Sequence, residues 1–296
     1  MKKRTLKTLV ITLCLSLSCI GIALAFDWPQ KETAADMFYS YFAQLRGSTI
    51  ESSLIFKDGA EVSAAGEGTV TTIIREHNGD MGWFESTLGN AVIISHDNKL
   101  MTVYANLDEQ SLAPSLSDEP HATTGMYIGQ SGNSGWQQGQ SSLEFIVLDT
   151  KNHSAINPRT LMPRVGQELP LVMGQITIEA KDGTQSLLSQ TKNLTAGNYR
   201  IYRERQTVAV PYKTNISING TSIESMQYDS LREVDGKLCV RGNSWYPLEQ
   251  VYPDEKRQLL GQVFLAPGRN IITLTISDIT GLPSGTKTVS YTVAVR

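Results

Sequence analysis

A chain of 296 residues with 26 basic and 29 acidic side chains carries a formal net charge of −3, so it lacks the concentrated basic footprint that a nucleic-acid binder needs. Its length suits two domains of ordinary size, and it contains neither a low-complexity tract nor a long helical heptad.

Lys2, Lys3, Arg4 and Lys7 form a positive segment, followed by an apolar run from Leu9 to Leu24 broken by Thr12, Ser16, Ser18 and Gly21. Ala23-Leu24-Ala25 supplies a small-x-small cleavage signature. Residues 1–25 are therefore expected to be a signal peptide, with export to the periplasm or cell envelope and Phe26 opening the mature chain. An uncleaved anchor is the rival reading, but the run is short for a span of about 20 apolar residues and no basic stop-transfer cluster follows. Ser16-Leu17-Ser18-Cys19 loosely resembles a lipobox, although the apolar stretch continues past Cys19. Membrane contact is thus expected only through an uncleaved or lipidated N-terminus. Without the leader, 22 basic against 29 acidic side chains give −7. Cys14 and Cys19 leave with it, so the mature chain keeps Cys239 and no internal disulfide. Cys239, in Lys237-Leu238-Cys239-Val240, reads as a small buried hydrophobe on a strand.

Residues 26–48 read as a lead-in, within which Ala34 to Ala43 suits either a short helix or an aromatic strand. β signals then dominate. Thr69–Ile74, Ala91–Ile94, Leu100–Tyr104 and Leu143–Leu148 are apolar, largely β-branched runs, and His77-Asn78-Gly79-Asp80 and His96-Asp97-Asn98-Lys99 supply turns. Val165-Gly166-Gln167-Glu168-Leu169-Pro170 reads as a linker. Beyond it, Gln175–Ala180, Tyr199–Tyr202, Asn215–Gly220, Asn270–Ser277 and Thr288–Val295 are again strand-like. About seven short strands over this second half suggest an immunoglobulin-like sandwich. The expected fold class is all-β, with one unit over 49–165 and a second over 171–296.

From Gly59 to Pro163 the chain resembles the lysostaphin/LytM-type zinc endopeptidases, which cleave peptidoglycan cross-bridges. Gly59 to Val70 is similar to the family's G-x-x-V-x-A-A-x-x-G-x-V segment, and Gly89-Asn90-Ala91-Val92-Ile93-Ile94-Ser95-His96 to G-N-x-V-x-I-x-H. Tyr104-Ala105-Asn106-Leu107 stands where the family has Y-A-H-L. Gly125 to Gly135 resembles G-x-x-I-G-x-x-G-x-T-G with Ser134 for the threonine, and Asn157-Pro158 closes the series. The resemblance implies an antiparallel β core domain.

It also implies a zinc site held by three protein ligands, with an open position for water and histidines to handle protons. At the corresponding positions this chain reads otherwise. The ligands of the H-x-x-x-D segment fall on Thr49 and Ser53, or on Ser48 and Ser52 after a one-residue shift. The H-x-H strand has become Ser142-Leu143-Glu144, which replaces a catalytic histidine by Ser142 and a ligand by Glu144. The Y-A-H-L histidine has become Asn106. Hydroxyls do not stand in for imidazole on zinc near neutral pH. The resemblance therefore implies no catalytic residue, metal or cofactor, and points to a non-catalytic factor. His96 occupies a position read as structural, and His77, His121 and His153 read as turn or loop residues.

Glu51, Trp83 and Trp136 are the candidates for lining the old cleft, where exposed aromatics suit a sugar face or a protein partner. The expected partners are peptidoglycan or a cell-wall hydrolase of the amidase type, since degenerate LytM domains are known as amidase activators. The acidic stretch after Asn106 suits a basic patch on such a partner. Two alternatives remain open at this stage. One is an active zinc endopeptidase with rearranged ligands, and the other a surface adhesin that works through its immunoglobulin-like half.

Overall fold

The computed structural model describes residues 26–31, 33–75, 86–118, 120–136 and 141–296. The proposed leader, with Cys14 and Cys19, and the His77 turn lie outside them. No helix among the described residues is long and apolar enough to cross a membrane.

The architecture is all-β, as the alternating and β-branched runs predict. The first half contributes β1 (Phe38–Ser40), β2 (Leu45–Arg46), β3 (Thr49–Ile50), β4 (Leu54–Phe56), β5 (Glu61–Ser63), β6 (Gly68–Ile74), β7 (Asn90–Ser95), β8 (Leu100–Leu107), β9 (His121–Ala122), β10 (Tyr127–Gln130), β11 (Glu144–Asp149) and β12 (Ser154–Ile156). The second half contributes β13 (Ile176–Ala180), β14 (Gln185–Leu187), β15 (Asn193–Leu194), β16 (Gly197–Glu204), β17 (Lys213–Ile218), β18 (Thr221–Val234), β19 (Lys237–Arg241), β20 (Trp245–Pro247), β21 (Arg257–Leu265), β22 (Gly268–Ser277) and β23 (Thr286–Val295). The ambiguous Ala34–Ala43 stretch is turns around strand β1, which pairs with β4.

In the first half, β6, β7, β8, β11 and β4 form an antiparallel layer in which Glu144 of β11 faces Ala105 of β8 on one side and Ile55 of β4 on the other. Period-two alternation sends Phe145 and Val147 inward, and both are fully buried. The residues before β3 pack as part of this core. Phe26 meets the His96 ring edge-on, Trp28 lies against Phe38 and Phe56, and the Trp28 Nε1–H donates to Pro163 O at 2.7 Å.

The second half is a two-sheet sandwich. Sheet β14-β13-β16-β21 turns Ile176, Ile178, Ile201, Val263 and Leu265 towards Ile216, Ile272, Leu274, Ile276 and Val293 of the opposing β17, β22 and β23. Between Leu161 and Leu171 the backbone forms no strand; Arg159 reaches across this stretch, its Nη2 donating to both Glu168 oxygens at 2.6 and 2.7 Å.

The halves are joined by more than this connection. Strand β12 pairs with β18 in the register Ser154–Arg232, Ala155–Leu231 and Ile156–Ser230, so one sheet runs from β9 at one edge to β15 at the other. Its apolar side closes over a single cluster in which Phe38, Phe56, Tyr104 and Phe145 share a core with Met226, Tyr228, Leu231, Val240 and Tyr252. Polar groups stitch the same seam: Tyr252 Oη–H donates to Ala43 O at 2.8 Å, Asn157 N–H to Asp229 O at 2.8 Å, and Gln44 Nε2–H to Thr207 O. Cys239 is buried in β19, one strand beyond the seam.

Candidate functional site

Of the candidate positions, Thr49 lies on β3, Asn106 on β8 and Glu144 on β11, with Ser53 just before β4 and Ser142 just before β11, and the structure brings some of them together. Ser53, just before β4, lies next to Glu144 of β11, because β4 and β11 pair there. Glu51 precedes Ser53 by two residues and turns inward; it is only 6% exposed. Its carboxylate takes every donor nearby. Oε1 accepts from Ser53 N–H at 3.2 Å and Ser53 Oγ–H at 2.6 Å, while Oε2 accepts from Arg46 at 3.1 Å and Ser40 Oγ–H at 3.5 Å. A carboxylate holds about four lone-pair sites, and here all are used inside the chain.

Arg46 therefore supplies the positive charge of the pocket. It reaches in from β2, the first strand of a tight hairpin with β3, in which Leu45 pairs with Ile50 and Arg46 with Thr49. Thr49 itself points away. It is exposed, and its hydroxyl donates to Arg46 O at 3.0 Å. Sequence reasoning missed Arg46 altogether. The available signal was that it is the one basic side chain between Lys31 and Lys57, five residues before a carboxylate.

Glu144 stands on the other side. Burial raises its pKa first, and the charge of Glu51 raises it further, against a hydrogen bond to Ser53 and the attraction of Arg46. The Ser53 hydroxyl lies within reach of both carboxylates and has one proton to give, so the two acids compete for it. A carboxyl whose pKa is higher in the folded than in the unfolded chain contributes stability that is complete in acid and is lost as pH rises through the folded value. Glu144→Gln keeps an acceptor for Ser53 and removes the repulsion. The melting temperature of this variant is expected to exceed that of the native chain above the folded pKa, with the gap closing in acid. Parallel melting-temperature profiles across pH would contradict this placement.

Asn106 sits at the end of β8, fully buried, with φ +62°. Asparagine tolerates that left-handed geometry better than other side chains with a Cβ. Its Nδ2–H groups donate to Gly132 O at 2.8 Å and Ser142 O at 2.6 Å, and its Oδ1 accepts from Gly135 N–H at 2.7 Å. The Asn106 side chain thus ties the Gly132–Gly135 loop and Ser142 to the end of β8. Gly132 is needed for this closeness, because a Cβ there would run into the backbone of Leu107 and Asp108. Ser142 is buried beside Asn106. His96 is held between Glu67 O at 2.7 Å and Thr102 Oγ1 at 2.9 Å, and burial lowers its pKa. Trp136 is exposed, one residue beyond Gly135, whose N–H meets Asn106, and Trp83 lies outside the described residues.

Among the described residues no group of three His, Cys, Asp or Glu side chains converges on a point suited to a metal ion. Chemically the pocket is two acids, a guanidinium and two hydroxyl groups, an arrangement that satisfies itself.

Comparison with known proteins matches residues 52–158 to Peptidase family M23, and a second family match spans residues 170–296. An uncharacterized protein of Treponema pallidum (strain Nichols) is 34% identical over 125 residues, which are 39% of this chain and 82% of that protein. Among solved structures, a zinc containing peptidase from Vibrio cholerae aligns at 20% identity and TM-score 0.34, over 49% of this chain and 41% of that one. The chain therefore spans about two-fifths of that peptidase's length. A complex of SpoIIIAH and SpoIIQ aligns at 19% identity and TM-score 0.33, over 46% of this chain and 99% of that one.

Proposed function

The chain belongs to peptidase family M23 through residues 52–158, and on that premise we propose that it is an exported, non-catalytic envelope factor that binds peptidoglycan or regulates a cell-wall hydrolase. The observation that carries this reading is the self-satisfied Glu51: its oxygens are committed to Ser53, Ser40 and Arg46, whose guanidinium already balances its charge. Zinc catalysis requires ligands with lone pairs free for the ion and a bound water lowered to a pKa near 7. Thr49, Ser53 and Glu144 offer one carboxylate between them. Asn106 and Ser142 replace the histidines that would move protons, and the Asn106 amide is already spent on backbone groups. The retained scaffold, with Trp136 exposed beside the old cleft, is then the binding surface.

The test uses purified full chain, dialysed against zinc and then incubated with purified sacculi. Expected are substoichiometric zinc, no soluble muropeptides, and either sedimentation with the sacculi or recovery of an amidase in a pull-down from envelope extract. Stoichiometric zinc that is lost together with muropeptide release in Glu144→Ala would replace this reading by that of an active endopeptidase.

A further inference from the structure

The outward face of the seam carries an open groove of about 680 Å³, separate from the Glu51 pocket. That volume is in the range of small-ligand sites, roughly 300–1,000 Å³. Cross-strand register builds its floor. Ser154 of β12 stands opposite Arg232 of β18, and Arg241 of β19 opposite Trp245 of β20. Both halves of the chain therefore contribute, and the groove exists only because β12 and β18 are joined.

The charges in this groove are distinctive. Arg232 and Arg241 line it together with Asp149 and Asp229, yet none of the four enters an ion pair among the described residues. Other arginines of this protein do pair: Arg159 clasps Glu168, and Arg257 meets both Asp254 and Glu179. In the groove the two signs are held apart. Arg232 is fixed by stacking, its guanidinium carbon 5.6 Å from the centroid of the Trp245 ring. A guanidinium held in this way is a preorganised fork for a carboxylate. Asp149 is oriented by the backbone N–H groups of Lys151 and Asn152 and by the Asn152 amide, and Asp229 accepts from Ser230 Oγ–H at 3.3 Å. Cations and anions that line one groove without pairing with each other suit a ligand that brings both charges.

We propose that this groove binds a peptide end carrying a carboxylate and an ammonium group, the carboxylate on Arg232 and Arg241 and the ammonium on Asp229 and Asp149. For the source of that peptide the inference rests on the wall-binding reading above, which makes it a peptidoglycan stem peptide.

Calorimetry on the full chain tests it, with the synthetic tetrapeptide L-Ala-γ-D-Glu-L-Lys-D-Ala as probe. The control is the same peptide with its N-terminus and lysine acetylated and both the C-terminal and the free D-Glu α-carboxylates amidated. The free peptide is expected to bind and the blocked one not to. Arg232→Ala and Arg241→Ala should each weaken binding about tenfold or more, since each removes a charge-assisted pair. Asp229→Asn should also weaken it, and all three side chains are exposed enough for the variants to keep the native melting temperature. Equal binding of free and blocked peptide, or undiminished binding by Arg232→Ala/Arg241→Ala, overturns the proposal. Sedimentation with sacculi separates the two readings. If the native chain sediments but binds no tetrapeptide, the groove assignment fails and wall binding stands. If it binds the tetrapeptide through the arginines but ignores sacculi, the wall is the wrong source and the groove chemistry stands.

Discussion

The full chain is expected to unfold in one cooperative transition, and residues 26–165 or 171–296 produced alone are expected not to reach a folded state. Cutting there separates β12 from β18 and leaves each with unpaired backbone groups. It also divides the shared core, stripping cover from Phe38, Phe56 and Tyr104 on one side and from Tyr228, Leu231 and Tyr252 on the other. Burying one such side chain is worth about 1.5–3 kcal/mol. The loss of several on each side is comparable to the 5–15 kcal/mol by which a domain is ordinarily stable. Leu231→Ala in the full chain carries the same test in milder form. It should cost about 2–5 kcal/mol and lower the single transition without splitting it. Two resolved calorimetric transitions, or a cleanly melting fragment, would show that the seam is only a contact.

Asn106→Ala is expected to be the most damaging single change near the old cleft. It removes two donors from buried carbonyls and one acceptor from the half-buried Gly135 N–H, at about 1–3 kcal/mol for each buried group left unpaired. It also places alanine at φ +62°, at a further cost of about 1–2 kcal/mol. The melting temperature should fall by on the order of 10 °C. Asn106→His, which restores the family's residue, should be equally destabilised and gain no hydrolytic activity, because a ring nitrogen cannot serve Gly132, Ser142 and Gly135 together. A melting temperature within about 2 °C of native for either variant would show that Asn106 is not the tie described.

Much of the fold is legible in the sequence because its signals are local. Glycine-bounded, β-branched runs such as Ala91–Ile94 and Asn270–Ser277 become strands where expected, and Gly89, Gly132 and Gly135 lie at close backbone approaches. What escapes is what depends on distance along the chain. The β12–β18 pairing joins residues nearly eighty positions apart, and nothing in Ser154-Ala155-Ile156 announces its partner. Strand β18 carries Glu224, Gln227 and Asp229 among its apolar residues and so hides its length. At the site, the departures from the family motif at Asn106, Ser142 and Glu144 are visible in the sequence, but the residue that neutralises the pocket is not. Arg46 lies outside every motif and takes its role only when the β2–β3 hairpin folds it onto Glu51.

Cys239 has a consequence for how the chain matures. Burial raises its thiol pKa, with the charge of Glu249 adding to the effect, and the thiolate is the form that reacts with oxidants and alkylating agents. A sulfur kept protonated inside β19 stays inert in an oxidising compartment. The native state then depends on no chemistry at this sulfur, which becomes reactive only when the sheet around it comes apart.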